Sequence, residues 1–135
     1  MKYKLLNFDV KGDDRGSLVA LEENKNVSFN VKRVYYIYGT KEGVVRGKHA
    51  HYRVEQLAVC VSGSCDFVLD DGKNRVTIHL NRQDQGLYIG TMLWHEFMNF
   101  SPECVVMVLA SDYYNESDYI RNYDKFLLEV NRQSE

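Results

Sequence analysis

Two histidines stand one residue apart in the segment RGKHAHYRVEQL, residues 46–57, and Glu55 follows four residues after the second. On an unbroken strand His49 and His51 share a face, because alternate residues of a strand point the same way. Imidazoles and a carboxylate in this pattern can hold a transition-metal ion, whereas a neutral imidazole can also transfer protons near neutral pH. The local pattern leaves both chemistries open.

The same alternation predicts which other side chains accompany the histidines. Arg53 and Glu55 are predicted on the histidine face of an unbroken strand, with Arg46 and Lys48 on the opposite face. In the run VKRVYYIY, residues 31–38, the side chains of Arg33 and Tyr35 point to one face, and the later run WHEF carries His95. Buried polar groups cost free energy unless they are paired, so a barrel interior lined in this way indicates a site.

The elements that must position these residues are short strands. Asp71-Gly72 lies between two β-rich runs and predicts a hairpin. The final segment NESDYIRNYDKFLLEVN, residues 115–131, has apolar residues at helical spacing, with Asn115 or Ser117 as the capping residue. The chain is therefore predicted to be a mainly β barrel with one C-terminal helix. The predicted strands lie in the runs SLVALEE, VKRVYYIY, RGKHAHYRVEQLAVCV, CDFVLDD, RVTIHL, GLYIG, WHEFMNF and CVVMVLAS.

Length and composition bound the function. A chain of 135 residues, 44% of them hydrophobic, suits a single domain over residues 1–135. A net charge of −2 gives no bulk attraction to nucleic acid or to an acidic membrane. The start MKYKLLNFDVKGDD is too short in apolar residues for a secretory signal, and no later segment could span a membrane. The three cysteines, at positions 60, 65 and 104, are typical of reduced thiols in a cytoplasm.

A metal site is the first hypothesis for the histidine pair. His49, His51 and Glu55 could be joined by His95 from a later strand, and three imidazoles with one carboxylate suit iron, manganese, zinc or nickel. The chain resembles the two-part cupin motif, although the proline of the second part is absent. The first part matches at Gly43, His49, His51, Glu55 and Gly63, and the second part is echoed by Gly86, His95 and Asn99.

Acid–base chemistry without a metal is the second hypothesis. Moving a ketone to the neighbouring carbon needs a base that removes the proton next to the carbonyl and donors that stabilise the enediolate. It also needs a group that returns a proton to the other carbon. Two histidines and a tyrosine in one cavity can supply these roles.

Over residues 7–126 the sequence resembles the nucleotide-sugar 3,4-ketoisomerases that act on dTDP-4-keto-6-deoxyglucose. The resemblance implies a cupin-type double-stranded β-helix, or jelly-roll barrel, and isomerisation that requires no metal and no cofactor. It also implies a cytoplasmic enzyme of dTDP-3-amino-3,6-dideoxyhexose synthesis for a surface glycan. The matching segments are DDRGSLVALEENKN, VKRVYYIY, RGKHAH, EQLAVCVSGSC, LDDG, GLYIG, WHEF and VLASDYYNESDYIRNYDKF.

The resemblance also implies roles for individual residues. His49 would be the principal base with His51 as its partner, and Tyr35 would pass protons between the sugar oxygens. Glu55 would accept hydrogen bonds and help position His51. The residues expected to hold the diphosphate are Arg33 and Arg46, with Lys48 and Arg121 as weaker candidates.

Product configuration and assembly are further implications of the resemblance. Arg15 and His95 resemble the pair of the galacto branch, so dTDP-3-keto-6-deoxygalactose is the expected product. Members of the family form homodimers that exchange an N-terminal strand. Three alternatives remain: a metal-dependent cupin enzyme, a dTDP-sugar 3,5-epimerase, and a cupin that binds a nucleotide sugar without catalysis.

Overall fold

Most of the chain folds into antiparallel strands, in agreement with the succession of short apolar runs. The structure, a computed structural model, describes residues 1–133, so the last two residues of the predicted domain lie outside the described residues. A 3-10 helix covers Glu116–Asp118 and the helix α1 covers Tyr123–Gln133. The strands are β1 Tyr3–Asn7, β2 Lys11–Asp13, β3 Gly16–Leu18, β4 Arg33–Tyr38, β5 Arg46–His51, β6 Gln56–Ser62, β7 Cys65–Asp70, β8 Arg75–Leu80, β9 Gln85–Ile89, β10 Trp94–Met98, β11 Val105–Ala110 and β12 Tyr119–Ile120.

Ten of the strands form two five-stranded sheets around an apolar core. The first sheet has the order β1-β9-β6-β11-β4 and the second the order β12-β5-β10-β7-β8, while β2 and β3 form a separate hairpin. The mainly β, jelly-roll barrel of cupin type with a C-terminal helix is therefore confirmed. The core is formed by buried side chains from both sheets, among them Ala58, Phe67, Leu69, Leu87 and Val106.

The Asp71-Gly72 turn joins β7 to β8 as predicted. The Asp71 carboxylate accepts hydrogen bonds from the backbone N–H groups of Lys73 and Asn74, at 2.9 and 2.8 Å. Gly72 has φ +96°, in the left-handed region that glycine adopts without steric cost. The turn thereby fixes the register of β7 and β8.

The run RGKHAHYRVEQLAVCV forms two strands rather than one. β5 ends at His51, and the carboxylate of Asp118 accepts a hydrogen bond from the N–H of Arg53 at 2.9 Å. The chain then turns before β6 begins. The prediction that Arg53 and Glu55 continue the face of His49 and His51 is wrong, because it assumed an unbroken strand.

The C-terminal helix begins at Tyr123, later than the predicted start with Asn115 or Ser117 as its cap. Tyr119 and Ile120 form β12 instead and pair with β5. Ile120 is only 1% exposed, so strand pairing and burial outweigh the helical spacing of this segment.

The capping residues differ accordingly. Asn115 caps the 3-10 helix, because its side chain accepts a hydrogen bond from the N–H of Ser117. The side chain of Asn122 accepts one from the N–H of Lys125 at 2.9 Å at the start of α1. Within the described residues, no helix has both the length and the apolar character needed to cross a membrane.

The N-terminal segment contains a strand that the sequence did not predict. β1 pairs with β9 along its whole length and so forms an edge of the first sheet. Of the predicted strand SLVALEE, only Ser17 and Leu18 lie in a strand, β3. The chain that follows packs apolar side chains against Leu57, Val59 and Leu109 of the first sheet, namely Val19, Leu21, Val27, Phe29 and Val31.

Candidate active site

A β-bulge in β5 determines the direction of the side chains around the histidines. His49 pairs with His95 of β10, but the next paired residue of β5 is Gly47, so Lys48 is an extra residue. Gly47 and Lys48 have φ +84° and +59°. As a result Arg46 lines the same cavity as His49, whereas Lys48 does not. The prediction that Arg46 points away from the histidine face is wrong for this reason.

Three imidazoles meet inside the barrel. The Nε2 atoms of His49 and His95 are 3.1 Å apart, and the ring of His51 meets that of His49 edge-on with centroids 4.9 Å apart. His51 and His95 are 3% and 1% exposed. His49 alone of the three lines the cavity. It is therefore the imidazole that a bound molecule can reach.

Burial keeps the three imidazoles uncharged. It lowers the pKa of His49 to about 4, with a smaller opposing contribution from the backbone of Gly47. Burial, reinforced by the charge of His49, lowers the pKa of His51 to about 3. The pKa of His95 lies well below its ordinary value for the same reasons. All three rings are consequently neutral at pH 7 and able to accept a proton.

A hydrogen-bond chain assigns the tautomer of His49. The Nδ1 atom of His95 is 3.1 Å from the carbonyl oxygen of Leu93, which can only accept, so Nδ1 carries the proton. Nε2 of neutral His95 must then accept, and Nε2 of His49 donates to it. This leaves Nδ1 as the basic nitrogen of His49, and that atom has no hydrogen-bond partner.

Asp118 orients His51. Nδ1 of His51 is 3.3 Å from a carboxylate oxygen of Asp118, and both side chains are buried. The same carboxylate accepts hydrogen bonds from two backbone N–H groups, of Arg53 and Val54. Glu55 does not reach His51. Its carboxylate accepts a hydrogen bond from the hydroxyl of Tyr88, so the expectation that Glu55 positions His51 is wrong.

The hydroxyl of Tyr35 is held as a proton donor. The side-chain amide of Gln56 donates to it at 2.9 Å, which leaves the O–H group free to donate. Burial, the largest cause, raises the pKa of Tyr35 to about 12, so the phenol stays protonated at neutral pH. Tyr35 lines the cavity beside His49, where a donor and an uncharged base thus stand together.

The cavity has a volume of about 300 Å³ and is rich in positive charge. A larger cleft of about 630 Å³ lies between the β2–β3 hairpin and the barrel, but no histidine lines it. Three arginines, a histidine and no carboxylate line the smaller cavity, so it favours an anion. Its lining residues are Arg33, Tyr35, Ile37, Arg46, Gly47, His49, Phe97, Tyr119 and Arg121.

Arg33 has unsatisfied hydrogen-bonding capacity. Its Nε and Nη2 atoms are buried and have no partner among the described residues. The guanidinium lies 5.4 Å from the ring centroid of Tyr35 and 5.9 Å from that of Tyr114. A buried guanidinium is costly without an acceptor, and two free N–H groups on one fork suit a phosphate.

Arg121 is already paired with a carboxylate. Its Nε and Nη2 atoms donate to the two oxygens of Glu116, at 2.6 and 2.9 Å. The guanidinium lies 4.2 Å from the ring centroid of Tyr119, and that ring contacts both His49 and His51. Tyr119 therefore links the mouth of the cavity to the imidazoles.

The structure brings most, but not all, of the sequence-derived site residues together. Arg33, Tyr35, Arg46, His49 and Arg121 line one cavity, with His51 and His95 buried behind His49. Lys48 is exposed on the bulge. Arg15 lies in the turn between β2 and β3, with its side chain 89% exposed and paired with Asp13, outside the cavity lining.

The donor set expected of a metal cupin is incomplete. The ligand atoms of His49, His51 and His95 lie within 4.8 Å of one another, so these three imidazoles could together hold a metal ion. Glu55, the carboxylate of the sequence-based hypothesis, is bonded to Tyr88 instead. Within residues 1–133 no carboxylate joins the three imidazoles in such a cluster.

Three contributors were not identified from the sequence: Gln56, Asp118 and Tyr119. Gln56 follows Glu55 in a segment that was assumed to belong to β5. Asp118 and Tyr119 lie in NESDYIRNYD, where the apolar spacing indicated a helix. No local signal singled out Asp118, because the same short segment also carries the acidic residues Glu116 and Asp124.

Comparison with known proteins agrees with this arrangement. The family model described as "FdtA: WxcM-like, C-terminal" matches residues 1–131. A TDP-4-oxo-6-deoxy-alpha-D-glucose-3,4-oxoisomerase from Aneurinibacillus thermoaerophilus is 52% identical, over 100% of this chain and 99% of its own.

Solved structures of similar proteins have the same fold. A 3,4-ketoisomerase from Helicobacter canadensis is 54% identical with a TM-score of 0.95, covering 97% of this chain and 98% of that chain. The WlaRB TDP-quinovose 3,4-ketoisomerase from Campylobacter jejuni is 54% identical with a TM-score of 0.91, covering 94% and 98%. A mutant of the 3,4-ketoisomerase QdtA from Thermoanaerobacterium thermosaccharolyticum, in complex with TDP-4-keto-6-deoxyglucose, is 37% identical with a TM-score of 0.94, covering 97% and 95%.

The match over nearly the whole chain, together with the histidine and arginine cavity, leads to one conclusion: the chain belongs to the FdtA family, that of the TDP-sugar 3,4-ketoisomerases.

Proposed function

We propose that the protein converts dTDP-4-keto-6-deoxyglucose to dTDP-3-keto-6-deoxygalactose. The observation that carries the proposal is the uncharged His49, which lines one cavity with Tyr35 and three arginines and whose buried Nδ1 has no hydrogen-bond partner among the described residues. The relative from A. thermoaerophilus is named for a 3,4-oxoisomerisation of this sugar, and the QdtA mutant binds it. The reaction needs no metal or other cofactor, because proton transfers alone move the carbonyl.

The chemistry consists of four proton transfers, two at the carbons through His49 and two at the oxygens through Tyr35. His49 removes the proton on carbon 3, next to the carbon 4 carbonyl, and an enediolate forms across the two carbons. Tyr35 donates its proton to the oxygen on carbon 4 and regains one from the oxygen on carbon 3. The protonated His49 then gives its proton to carbon 4, which leaves the carbonyl at carbon 3 and returns His49 to its uncharged form. The phenol suits this role because its raised pKa keeps it protonated until a partner oxygen becomes basic.

Arginine side chains would bind the diphosphate. Arg33 supplies two buried N–H groups that have no partner, and Arg46 reaches the cavity because of the bulge. Arg121 would have to exchange Glu116 for a phosphate oxygen. Lys48 is exposed and outside the cavity lining, so we assign it no contact with the diphosphate.

The configuration at carbon 4 depends on the face that receives the proton. His95 contacts His49 directly, and Arg15 is the other residue of the galacto-type pair. The WlaRB relative is named a TDP-quinovose 3,4-ketoisomerase. Quinovose is 6-deoxyglucose, so this name corresponds to the gluco alternative. The residue pair supports the galacto product, since these two side chains are the ones expected to differ between the branches.

A homodimer would supply Arg15 to the cavity. Within its own chain Arg15 is at the tip of the β2–β3 hairpin, which pairs with neither sheet. Exposed apolar side chains on β4, such as Tyr36 and Tyr38 at 66% and 71% exposure, provide a surface that a second copy could cover. We propose a homodimer with an exchanged N-terminal strand, working in the cytoplasm on a dTDP-linked sugar for a surface glycan.

The first prediction concerns the base. His49→Asn removes the basic nitrogen but keeps a polar side chain, so kcat should fall roughly a hundred- to ten-thousand-fold with dTDP affinity nearly unchanged. The matched control is His79→Asn, because His79 is a half-exposed surface histidine paired with Asp66. Steady-state kinetics and calorimetric titration with dTDP check this. Near-normal kcat in the His49 variant would move the base elsewhere, with His51 next.

The second prediction concerns the diphosphate. Arg46→Ala should weaken dTDP binding by about ten- to a hundredfold, because a charge-assisted hydrogen bond to phosphate is lost. Lys48→Ala removes a cation two residues away that points to solvent, so its dTDP affinity should stay within about twofold of the parent protein. Titration calorimetry at one fixed salt concentration compares the two variants. Equal losses of dTDP affinity in the two variants would contradict the prediction that Arg46, and not Lys48, binds the diphosphate.

The third prediction concerns the product. Proton NMR should show the carbonyl at carbon 3 after incubation with dTDP-4-keto-6-deoxyglucose, whereas a 3,5-epimerase would leave it at carbon 4. When a 3-aminotransferase then converts the product to an amino sugar, the NMR coupling constant between the protons on carbons 3 and 4 should be small. A large trans-diaxial coupling would identify the gluco product and refute the stereochemical assignment alone. Unchanged substrate would refute the isomerase proposal and favour a non-catalytic binding protein.

A further inference from the structure

All three cysteines of the chain meet in the core of the barrel, away from the histidines. Cys60 lies near the end of β6, Cys65 begins β7, and Cys104 immediately precedes β11. Leu69 of β7 pairs with His95. Cys65 lies four residues before Leu69 on the same strand, which is a distance of roughly 13 Å. The reaction described above uses none of these thiols.

The three sulfur atoms are arranged as ligands would be. Their Sγ atoms all lie within 4.8 Å of one another, and those of Cys60 and Cys104 are 3.6 Å apart. A d10 ion bound at about 2.3 Å from each sulfur would hold the sulfurs about 3.8–4.0 Å apart. The cluster therefore needs only small side-chain shifts to bind one ion.

We propose that Cys60, Cys65 and Cys104 form a binding site for a soft, thiophilic metal ion, with Cu(I) preferred over Zn(II). Three sulfurs that no imidazole or carboxylate of the described residues joins select soft ions. Structural Zn(II) sites are almost always four-coordinate, and this cluster offers three ligands within the part of the chain that is described. Exposures of 0%, 0% and 4% keep the three sulfurs away from bulk solvent, the source of a water as fourth ligand. Cu(I) is stable with two or three thiolates.

Backbone contacts hold the ligand-bearing segments together. The turn between β6 and β7 is bonded to the segment before β11, because the N–H of Ser101 donates to the carbonyl of Ser64 at 2.9 Å. The N–H of Ser64 donates to the hydroxyl of Ser101 at 2.9 Å. A Cβ atom on Gly63 would lie 2.9 Å from Cα of Cys104, so only glycine permits this close approach. The site is therefore preformed rather than assembled by the ion.

Binding must displace protons. Each thiol that becomes a ligand releases one proton to solvent, while copper stays Cu(I) and no sulfur is oxidised. Affinity should consequently rise with pH.

The experiment uses the whole reduced chain under anaerobic conditions. Cu(I) is added in competition with a chromogenic Cu(I) chelator, and native mass spectrometry counts the bound copper and the displaced protons. X-ray absorption at the copper edge identifies the neighbouring atoms. The expected result is one Cu(I) per chain with sulfur neighbours only. Zn(II) in a parallel titration should bind at least about tenfold more weakly.

Matched variants locate the ion. Cys65→Ser and Cys104→Ser should each lose at least about a hundredfold in Cu(I) affinity, while keeping the kcat of the isomerisation. His49→Asn should bind Cu(I) as tightly as the parent protein, which separates this cluster from the imidazoles. Circular dichroism establishes that the serine variants fold, and either variant suffices if the other does not.

Several outcomes would overturn the proposal. They are loss of all copper to the chelator, nitrogen neighbours in the absorption spectrum, or unchanged Cu(I) affinity in a folded serine variant. Tighter binding of Zn(II) than of Cu(I) would overturn the stated preference. None of these results depends on the proposed isomerase activity, because the readouts are metal content and coordination.

Discussion

Three imidazoles packed against one another inside an apolar barrel must remain almost entirely unprotonated. Burial already disfavours a proton on each ring, and a proton on one ring disfavours protonation of its neighbours. The cluster is therefore an uncharged base whose proton, once gained, is readily given up again. Such a group suits a reaction in which the base removes a proton from one carbon and then gives a proton to the neighbouring carbon. The positive charges of Arg33, Arg46 and Arg121, which line the cavity, also disfavour protonation of the imidazoles.

The bulge at Gly47 and Lys48 connects this chemistry to the fold. Without the extra residue, strand alternation would turn Arg46 away from the face of His49. With it, a base for the sugar and a cation for the diphosphate project into one cavity from the same strand. β12 completes the arrangement on the other edge of β5, since it brings Tyr119 against both imidazoles and follows directly after Asp118.

The sequence predicted the features that depend on local pattern. The jelly-roll barrel, the β7–β8 hairpin and the choice of His49, Tyr35 and Arg33 as cavity residues all follow from periodicity, turn residues or family resemblance. The errors arose where long-range contacts override local pattern. Asp118 rather than Glu55 reaches His51, because β5 ends and the chain turns. The helix starts later than predicted because β12 pairs with β5 instead. The local sequence pattern also does not indicate the bulge in β5 or the exposed position of Arg15.

The pH dependence of kcat/KM for the parent enzyme tests the central claim, that a buried and uncharged His49 is the base. The profile reports the pKa of the essential base in the free enzyme, and that base must be deprotonated to act. Because burial lowers the pKa of His49 to about 4, activity should stay level as the pH falls through the ordinary histidine range and decline only near pH 4. A decline centred near the ordinary imidazole pKa of about 6.5 would contradict the account.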